Sequence, residues 1–242
     1  MHIIVTRPQP QANQLCELIE AHNQIPLCLP LIKINPLQLN NKIILNSFDY
    51  IIFISQNAVK YGIDYYHQTK PIKTIVIGKK TLKTLADFNI QADIQAPAPY
   101  TSEALLSLIP LQQIKNQQFL IIKGEGGREY LKENLLARGA KVQTADVYQR
   151  VLLNPSFALL KPIPLANIAS IITSDQILEQ FDFCLQQANL SSIKQCPLVV
   201  ISQRLQDKAV KLGFKHVLMA NSPANQDLIN VLLKIAGHFA LI

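Results

Sequence analysis

The chain reads as an α/β protein built from two similar domains, each holding a parallel sheet. Three observations predict this. Short apolar runs rich in Ile and Val recur along its 242 residues, separated by helix-like segments. Three strand–helix blocks occur twice in the same order. Two extended, proline-bracketed stretches, 29–39 and 145–155, interrupt the blocks and read as paired linkers.

The elements follow in order. "IIV" at 3–5 leads into a helix ending near His22, and "YIIFI" at 50–54 into one starting near Gln56. "TIVI" at 74–77, "FLII" at 119–122, "ASII" at 169–172 and "LVVI" at 198–201 each precede another amphipathic segment. Runs this short, apolar throughout, suit strands buried on both faces of a parallel sheet. Asn23, Asn89, Gly139 and Gly213 follow four of the helices. Both residue types tolerate the left-handed conformation that closes a helix. Ile25, Ile90, Val142 and Phe214 come soon after, and each is expected to open the next strand.

The blocks 2–22 and 119–138, 50–59 and 169–178, and 74–109 and 198–233 can be laid side by side, at a spacing of roughly 120 residues. With linkers at about 31–37 and 145–153, residues 37–146 form one continuous domain. Residues 1–34 and 152–242 form the other. Two plain tandem halves cut near 114 remain the alternative.

Composition narrows the function. Hydrophobic residues make up 49% of the chain and charged residues 16%, which excludes disorder. The net charge of +7 favours an anionic partner. The basic residues are scattered, without a basic run or an aromatic-rich nucleic-acid motif, so nucleic acid is disfavoured. No apolar run approaches the roughly 18 residues of a membrane span. "MHIIVTRPQP" lacks the pattern of a signal peptide, so a soluble cytoplasmic protein is expected. Cys16, Cys28, Cys184 and Cys196 form no C-x-x-C and read as buried free thiols. The five histidines cluster in no ligand spacing, so no metal and no cofactor are expected.

The candidate site comes from the strand ends. Thr6-Arg7, Ser55-Gln56-Asn57, Gly78-Lys79, Lys123-Gly124, Thr173-Ser174 and Ser202-Gln203-Arg204 follow the six main strands. Ligands of open parallel sheets bind there, where helices begin with free N–H groups. The plainer reading of each Ser, Thr or Asn alone is a helix cap. As a set, they suit one anion-binding cleft. "KGEGGREY" at 123–130 fails G-x-G-x-x-G, because Glu129 stands at the third glycine position, and it fails the Walker pattern. What remains is a bend that brings backbone N–H groups close to a ligand beside Lys123 and Arg128. Tyr148 is the titratable side chain of interest in the return linker.

Motifs in order along nearly the whole chain resemble the uroporphyrinogen-III synthase family. They are "VTRPQPQ" (5–11), "FISQNAV" (53–59), "IGKKT" (77–81), "TSEALL" (101–106), "IIKGEGGREYL" (121–131), "LLARGAKVQTADVYQR" (135–150), "ITSDQIL" (172–178), "VVISQRLQDKAVKLGF" (199–214) and "ANSPANQDLI" (220–229). Ile54 replaces a family threonine and Ile177 a common glycine. The resemblance implies two flavodoxin-like parallel-sheet domains joined by a two-stranded linker, with the ligand cleft between them. It implies hydroxymethylbilane, a linear tetrapyrrole with eight carboxylates, as substrate, held largely by main-chain amides. Loss of its terminal hydroxyl, attack by the substituted carbon of ring D, a spiro intermediate and closure then invert that ring. The catalysis so implied is mainly positioning. Tyr148, from the family's V-Y-Q, is the implied donor to the departing hydroxyl. Arg7, Ser55, Asn57, Thr81, Lys123, Gly124, Gly126, Gly127, Ser174 and Ser202 are the implied substrate contacts. A substrate-binding threonine of the family is replaced at Arg204-Leu205, and no role is carried over. No cofactor is implied. The preceding enzyme, hydroxymethylbilane synthase, is a candidate partner, and a monomer is expected. A non-catalytic tetrapyrrole- or anion-sensing module on the same fold is the alternative. A flavodoxin-like nucleotide binder fits less well, given the failed glycine patterns.

Overall fold

The structure, a computed structural model, describes residues 1–38, 47–65, 72–108 and 114–239. Residue 39 of the first extended stretch and residue 109 of the repeated block lie outside the described residues. The chain divides into two compact units, Met1–Ile34 with Val151–Ile242, and Asn35–Arg150.

Along the chain run β1 (His2–Val5), α1 (Gln11–Ala21), β2 (Ile25–Cys28), β3 (Ile32–Pro36), β4 (Tyr50–Phe53) and α2 (Gln56–Gly62). Next come β5 (Lys73–Val76), α3 (Lys79–Ala86), β6 (Ile94–Gln95), α4 (Ser102–Leu108), β7 (Gln118–Gly124) and α5 (Tyr130–Ala137). The last are β8 (Lys141–Leu152), β9 (Ile168–Ile171), α6 (Asp175–Gln187), β10 (Pro197–Val200), α7 (Gln203–Lys211), β11 (His216–Met219) and α8 (Asn225–Phe239).

One sheet has the order β11-β10-β9-β1-β2, the other β3-β8-β7-β4-β5-β6. Every pairing among β1, β2, β9, β10 and β11 is parallel, as is every pairing from β8 through β6. Laid block on block, β1-β2 match β7-β8, and β9-β10-β11 match β4-β5-β6. The two sheets then share one spatial order, with the chain entering it at different points. β1 pairs with β9 and β4 with β7, so the first block closes with the last and the two middle blocks close with each other.

The first sheet shows why its strands are apolar throughout. Ile4, Leu198 and Val200 point into one core cluster with Phe181 of α6, and Phe157 and Phe214 join it. Ile3, Val5 and Val199 point into another with Leu15 and Ile19 of α1 and Leu228 and Leu232 of α8. Alternate residues face opposite sides of a strand, so two apolar faces need an unbroken apolar run. In the second unit Ile52, Ile75, Phe119 and Ile121 pack on Leu105 of α4 and Leu131 and Leu135 of α5.

Helix ends follow the sequence signals. Asn23 (φ 56°), Asn89 (59°), Gly139 (81°) and Gly213 (93°) are all left-handed. Beyond each, an amide reaches back five residues: Gln24 to Ile19, Ile90 to Leu85, Ala140 to Leu135 and Phe214 to Ala209. That bond pair closes the last helical carbonyls. It also corrects one expectation. Ile90 and Phe214 do not open strands; they complete the helix stop, and β6 and β11 start later, at Ile94 and His216. Cys184 and Cys196 are buried, but Cys16 is half-buried and Cys28 exposed, so the reading of four buried thiols holds for two; all four are free.

The unit boundaries Ile34/Asn35 and Arg150/Val151 fall within the two extended stretches, and most of 145–155 is strand. β8 is a twelve-residue strand paired in register with β7 from Lys141 to Asp146. The register then slips: Lys123 faces Asp146, but Gly124 faces Tyr148, leaving Val147 as the extra residue of a bulge. Both Val147 and Tyr148 are buried, so the in–out alternation breaks at this point.

Candidate functional site

Open parallel sheets form a crevice where the strand order reverses, beyond the carboxyl ends of the two central strands. In the second sheet these are β4 and β7, so the crevice residues are Ser55 and the loop after Gly124. The bulge in β8 delivers Tyr148 to the same place. Its ring lies across Gly124: a Cβ there would sit 2.5 Å from Cε2 and Cζ of Tyr148. Gly124 is therefore a glycine because the tyrosine covers it. Tyr61 flanks the ring at 6.1 Å between centroids.

Tyr148 is fully buried, at 0% exposure, and its hydroxyl has two partners. Arg150 Nη2 donates to it at 3.1 Å, and Ser55 Oγ lies 3.1 Å away. Ser55 Oγ also accepts from the Ala58 amide at 3.0 Å, capping α2. The Arg150 guanidinium can only donate, which leaves Ser55 Oγ as the acceptor for the phenol proton, so the chain of donors that satisfies the tyrosine runs Arg150 to Tyr148 to Ser55. The serine proton is then left over for a further acceptor.

The glycine-rich loop lines a cavity of about 340 Å³. Gly126 and Gly127 are exposed with φ of 70° and 85°, and open space lies where their Cβ atoms would be. No hydrogen bond among the described residues takes up either amide. Four cations line the cavity, Lys123, Arg128, Lys132 and Arg150, against one carboxylate, Glu129. Three of the cations are already paired. Lys123, only 8% exposed, meets Glu129 at 2.5 Å and stands 4.0 Å from Asp146. Lys132 reaches the other Glu129 oxygen at 3.2 Å, and exposed Arg128 meets Glu103 at 2.7 Å. Hydrogen bonds from Lys123 and then Lys132 hold the Glu129 carboxyl below its usual value. Burial pushes the Asp146 carboxyl up, against the pull of Lys123.

The other sequence candidates divide. Arg7 is 4% exposed, and its guanidinium donates to Asn225 Oδ1 at 2.8 Å and to the Pro223 carbonyl at 2.7 Å. Burial lowers its pKa to about 10. Its charge is thus turned into its own unit. Ser174 and Ser202 cap α6 and α7, accepting from the Ile177 and Leu205 amides at 3.3 Å. Thr81 is buried in the first turn of α3, and Asn57 is half-buried in that of α2. Ser55, Tyr148, Gly124, Gly126, Gly127 and Lys123 therefore gather in one region, while Arg7, Ser174 and Ser202 belong to the other unit. Sequence reasoning missed Arg150, Tyr61, Glu129 and Asp146 as neighbours of this region. Arg150 was findable: on a strand it shares a face with the residue two before it, Tyr148. Among the described residues no group of three or more metal-ligating side chains occurs, and no helix is long and apolar enough to cross a membrane.

The family model described as Uroporphyrinogen-III synthase HemD matches residues 13–230. The chain belongs to the uroporphyrinogen-III synthase family. The uroporphyrinogen-III synthase of Escherichia coli K12 is 29% identical over 245 residues, covering 96% of this chain and 100% of that one. The enzyme of the same name from Proteus mirabilis is 33% identical over 164 residues, covering 64% of this chain and 82% of that one. The fold agrees too. A crystal structure of mutant uroporphyrinogen III synthase from Thermus thermophilus superposes with a TM-score of 0.64 at 11% identity, over 98% of both chains. Uroporphyrinogen-III synthetase from Helicobacter pylori gives 0.62 at 15% identity, over 97% of this chain and 98% of that one. In the family's terms, the V-Y-Q tyrosine of this chain is the one that the β8 bulge buries.

Proposed function

We propose that the chain cyclises hydroxymethylbilane to uroporphyrinogen III with loss of water, and that Tyr148 and Ser55 together supply the proton for the departing hydroxyl. The observation that carries the reading is the hydrogen-bonded pair itself, at the strand ends where a parallel sheet takes its ligand. Tyr148 is fully buried, so its proton reaches the substrate through the half-buried serine. Ser55 Oγ gives its proton to the leaving oxygen and takes the phenol proton, and water departs. The proton lent in this step returns when the new carbon–carbon bond forms and the ring carbon loses its hydrogen.

Family membership over residues 13–230, and similarity along the full length of named synthases, support the reaction. The untaken amides of Gly126 and Gly127 suit a substrate carboxylate. Lys123 holds Glu129 in place and shapes the loop rather than meeting substrate directly. Ser174 and Ser202 lie at strand ends of the first unit, where each caps a helix. Arg7 serves the fold.

The test is turnover. Purified chain plus hydroxymethylbilane, with isomers separated by chromatography, is expected to give the III isomer in excess over the I isomer that forms unaided. A chain that binds the tetrapyrrole yet leaves the isomer ratio at the uncatalysed value is the sensing module instead. Hydroxymethylbilane synthase, which must supply so reactive a substrate, is the expected neighbour in a reducing cytoplasm. A monomer is expected by light scattering.

A further inference from the structure

Arg150 stands apart from the other cations of the glycine-loop cavity. Lys123, Lys132 and Arg128 each face a carboxylate. No ion pair among the described residues involves Arg150, although it is exposed and lines the same cavity. Its one polar contact among the described residues is with the Tyr148 hydroxyl, at 3.1 Å, and its guanidinium carbon lies 5.3 Å from the centre of the tyrosine ring. Two residues apart on β8, the pair shares one side of the strand, and the bulge turns that side toward Ser55.

We propose that Arg150 is a positioning residue for Tyr148. The inference rests on the reading of Tyr148 as proton donor. A phenol that releases its proton toward Ser55 gathers negative charge on the oxygen that Arg150 already touches. A hydrogen bond from a cation strengthens as its acceptor becomes an anion. The contact is therefore stronger at the moment of proton transfer than before it, and such an interaction raises kcat rather than lowering KM. Arg150 also occupies one lone pair of the phenol oxygen, which directs the phenol proton to Ser55.

The experiment measures kcat and KM for III-isomer formation from hydroxymethylbilane. It uses the wild type, Arg150→Ala, Arg150→Gln, Arg150→Lys, Tyr148→Phe and the Tyr148→Phe/Arg150→Ala double variant. Expected is a kcat about tenfold lower in Arg150→Ala and Arg150→Gln, within the roughly hundredfold assigned to Tyr148, with KM within about twofold of wild type. Arg150→Lys, which keeps the charge, restores most of the loss, and Arg150→Ala adds nothing to Tyr148→Phe. A raised KM with unchanged kcat makes Arg150 a plain carboxylate contact and overturns the proposal. So does an equal loss of kcat in the Tyr148→Phe background, because Arg150 then acts apart from the tyrosine. An unchanged kcat in Tyr148→Phe itself, or a wild type that forms no III isomer, overturns the underlying reading and the inference with it. Thermal melts of the Gln and Lys variants, both similar in length to arginine, separate misfolding from a kinetic effect.

Discussion

The loops after β1 and after β7 occupy equivalent places in the two sheets and are built from opposite materials. After β1 come Thr6-Arg7-Pro8-Gln9-Pro10; after β7 come Glu125-Gly126-Gly127-Arg128-Glu129. The proline loop offers no N–H at two of its positions, and its cation is folded inward onto Pro223 and Asn225. The glycine loop leaves two amides untaken beside a cavity. Thr6 shows the same contrast: its hydroxyl is used up on the Ile171 carbonyl at 2.7 Å, while Ser55, across the equivalent crevice, meets a tyrosine. Duplicated topology thus supplied two crevices. In one, Thr6 and Arg7 bond within their own unit; the other is the one proposed here for chemistry. A fold shows where a ligand can bind, and loop chemistry is what separates two topologically equal places.

The largest expected effect bears on the chemical half of that contrast. Tyr148→Phe should lower kcat about 10²-fold, the low end for proton transfer, because positioning carries most of this reaction. KM and the circular dichroism spectrum should stay near wild type. A folded variant with unchanged kcat removes Tyr148 from the mechanism.

Next comes the glycine loop. Gly126→Ala and Gly127→Ala should each raise KM about tenfold, since a methyl crowds the approach to the amides and a positive φ strains any other residue by roughly 1 kcal/mol. Pro8→Ala, at the equivalent loop, should leave KM alone. Steady-state kinetics of the three variants side by side would break the comparison if Pro8→Ala proved as damaging.

Arg7→Ala should act on stability instead. It removes charge-assisted hydrogen bonds to half-buried Asn225 and to the carbonyl of exposed Pro223, at about 1–3 kcal/mol, with little change in KM. Urea unfolding gives the first number and kinetics the second. A large rise in KM at unchanged stability would return Arg7 to the substrate. Ser202→Ala should cost about 1 kcal/mol, as an ordinary cap does. Ser55→Ala should cost the same and lower kcat as well, since its oxygen also meets Tyr148.

The smallest effect is a pH dependence. The Glu129 carboxyl titrates below its ordinary value of 4.5 because Lys123 and Lys132 bond its charged form. Its contribution to stability is therefore complete above that value and is lost as pH falls through the lower folded one. The gap in melting temperature between wild type and Glu129→Gln should be present at about pH 6 and close toward about pH 3. A gap that widens on acidification would contradict the pairing.

Much of this was legible in the chain. The four helix stops at Asn23, Asn89, Gly139 and Gly213 were readable because a left-handed residue is a local demand that few side chains meet. The apolar runs read correctly as strands buried on two faces, which leaves few polar positions in them, Thr74 and Ser170 among those few. The glycine loop was readable as a bend, and Gly126 and Gly127 have positive φ. Ile90 and Phe214 were misread because an apolar residue after a stop can either begin a strand or seal the helix, and only the backbone bonds distinguish the two. Stretch 145–155 was readable as extended, and a unit boundary falls in it, but its place between β3 and β7 was not readable, and Arg150 was overlooked for that reason.

By itself the sequence determined the repeated strand–helix blocks, the places where helices stop and the residue types at each strand end. These are local properties, carried by hydrophobic period, by capping chemistry and by the freedom of glycine. Only the tertiary structure decided which blocks share a sheet, that Arg7 faces its own unit, and that a slip of one residue in β8 seats Tyr148 over Gly124 against Ser55 and Arg150. Each of those depends on strand pairing between distant segments, where one residue of register exchanges the buried face for the open one.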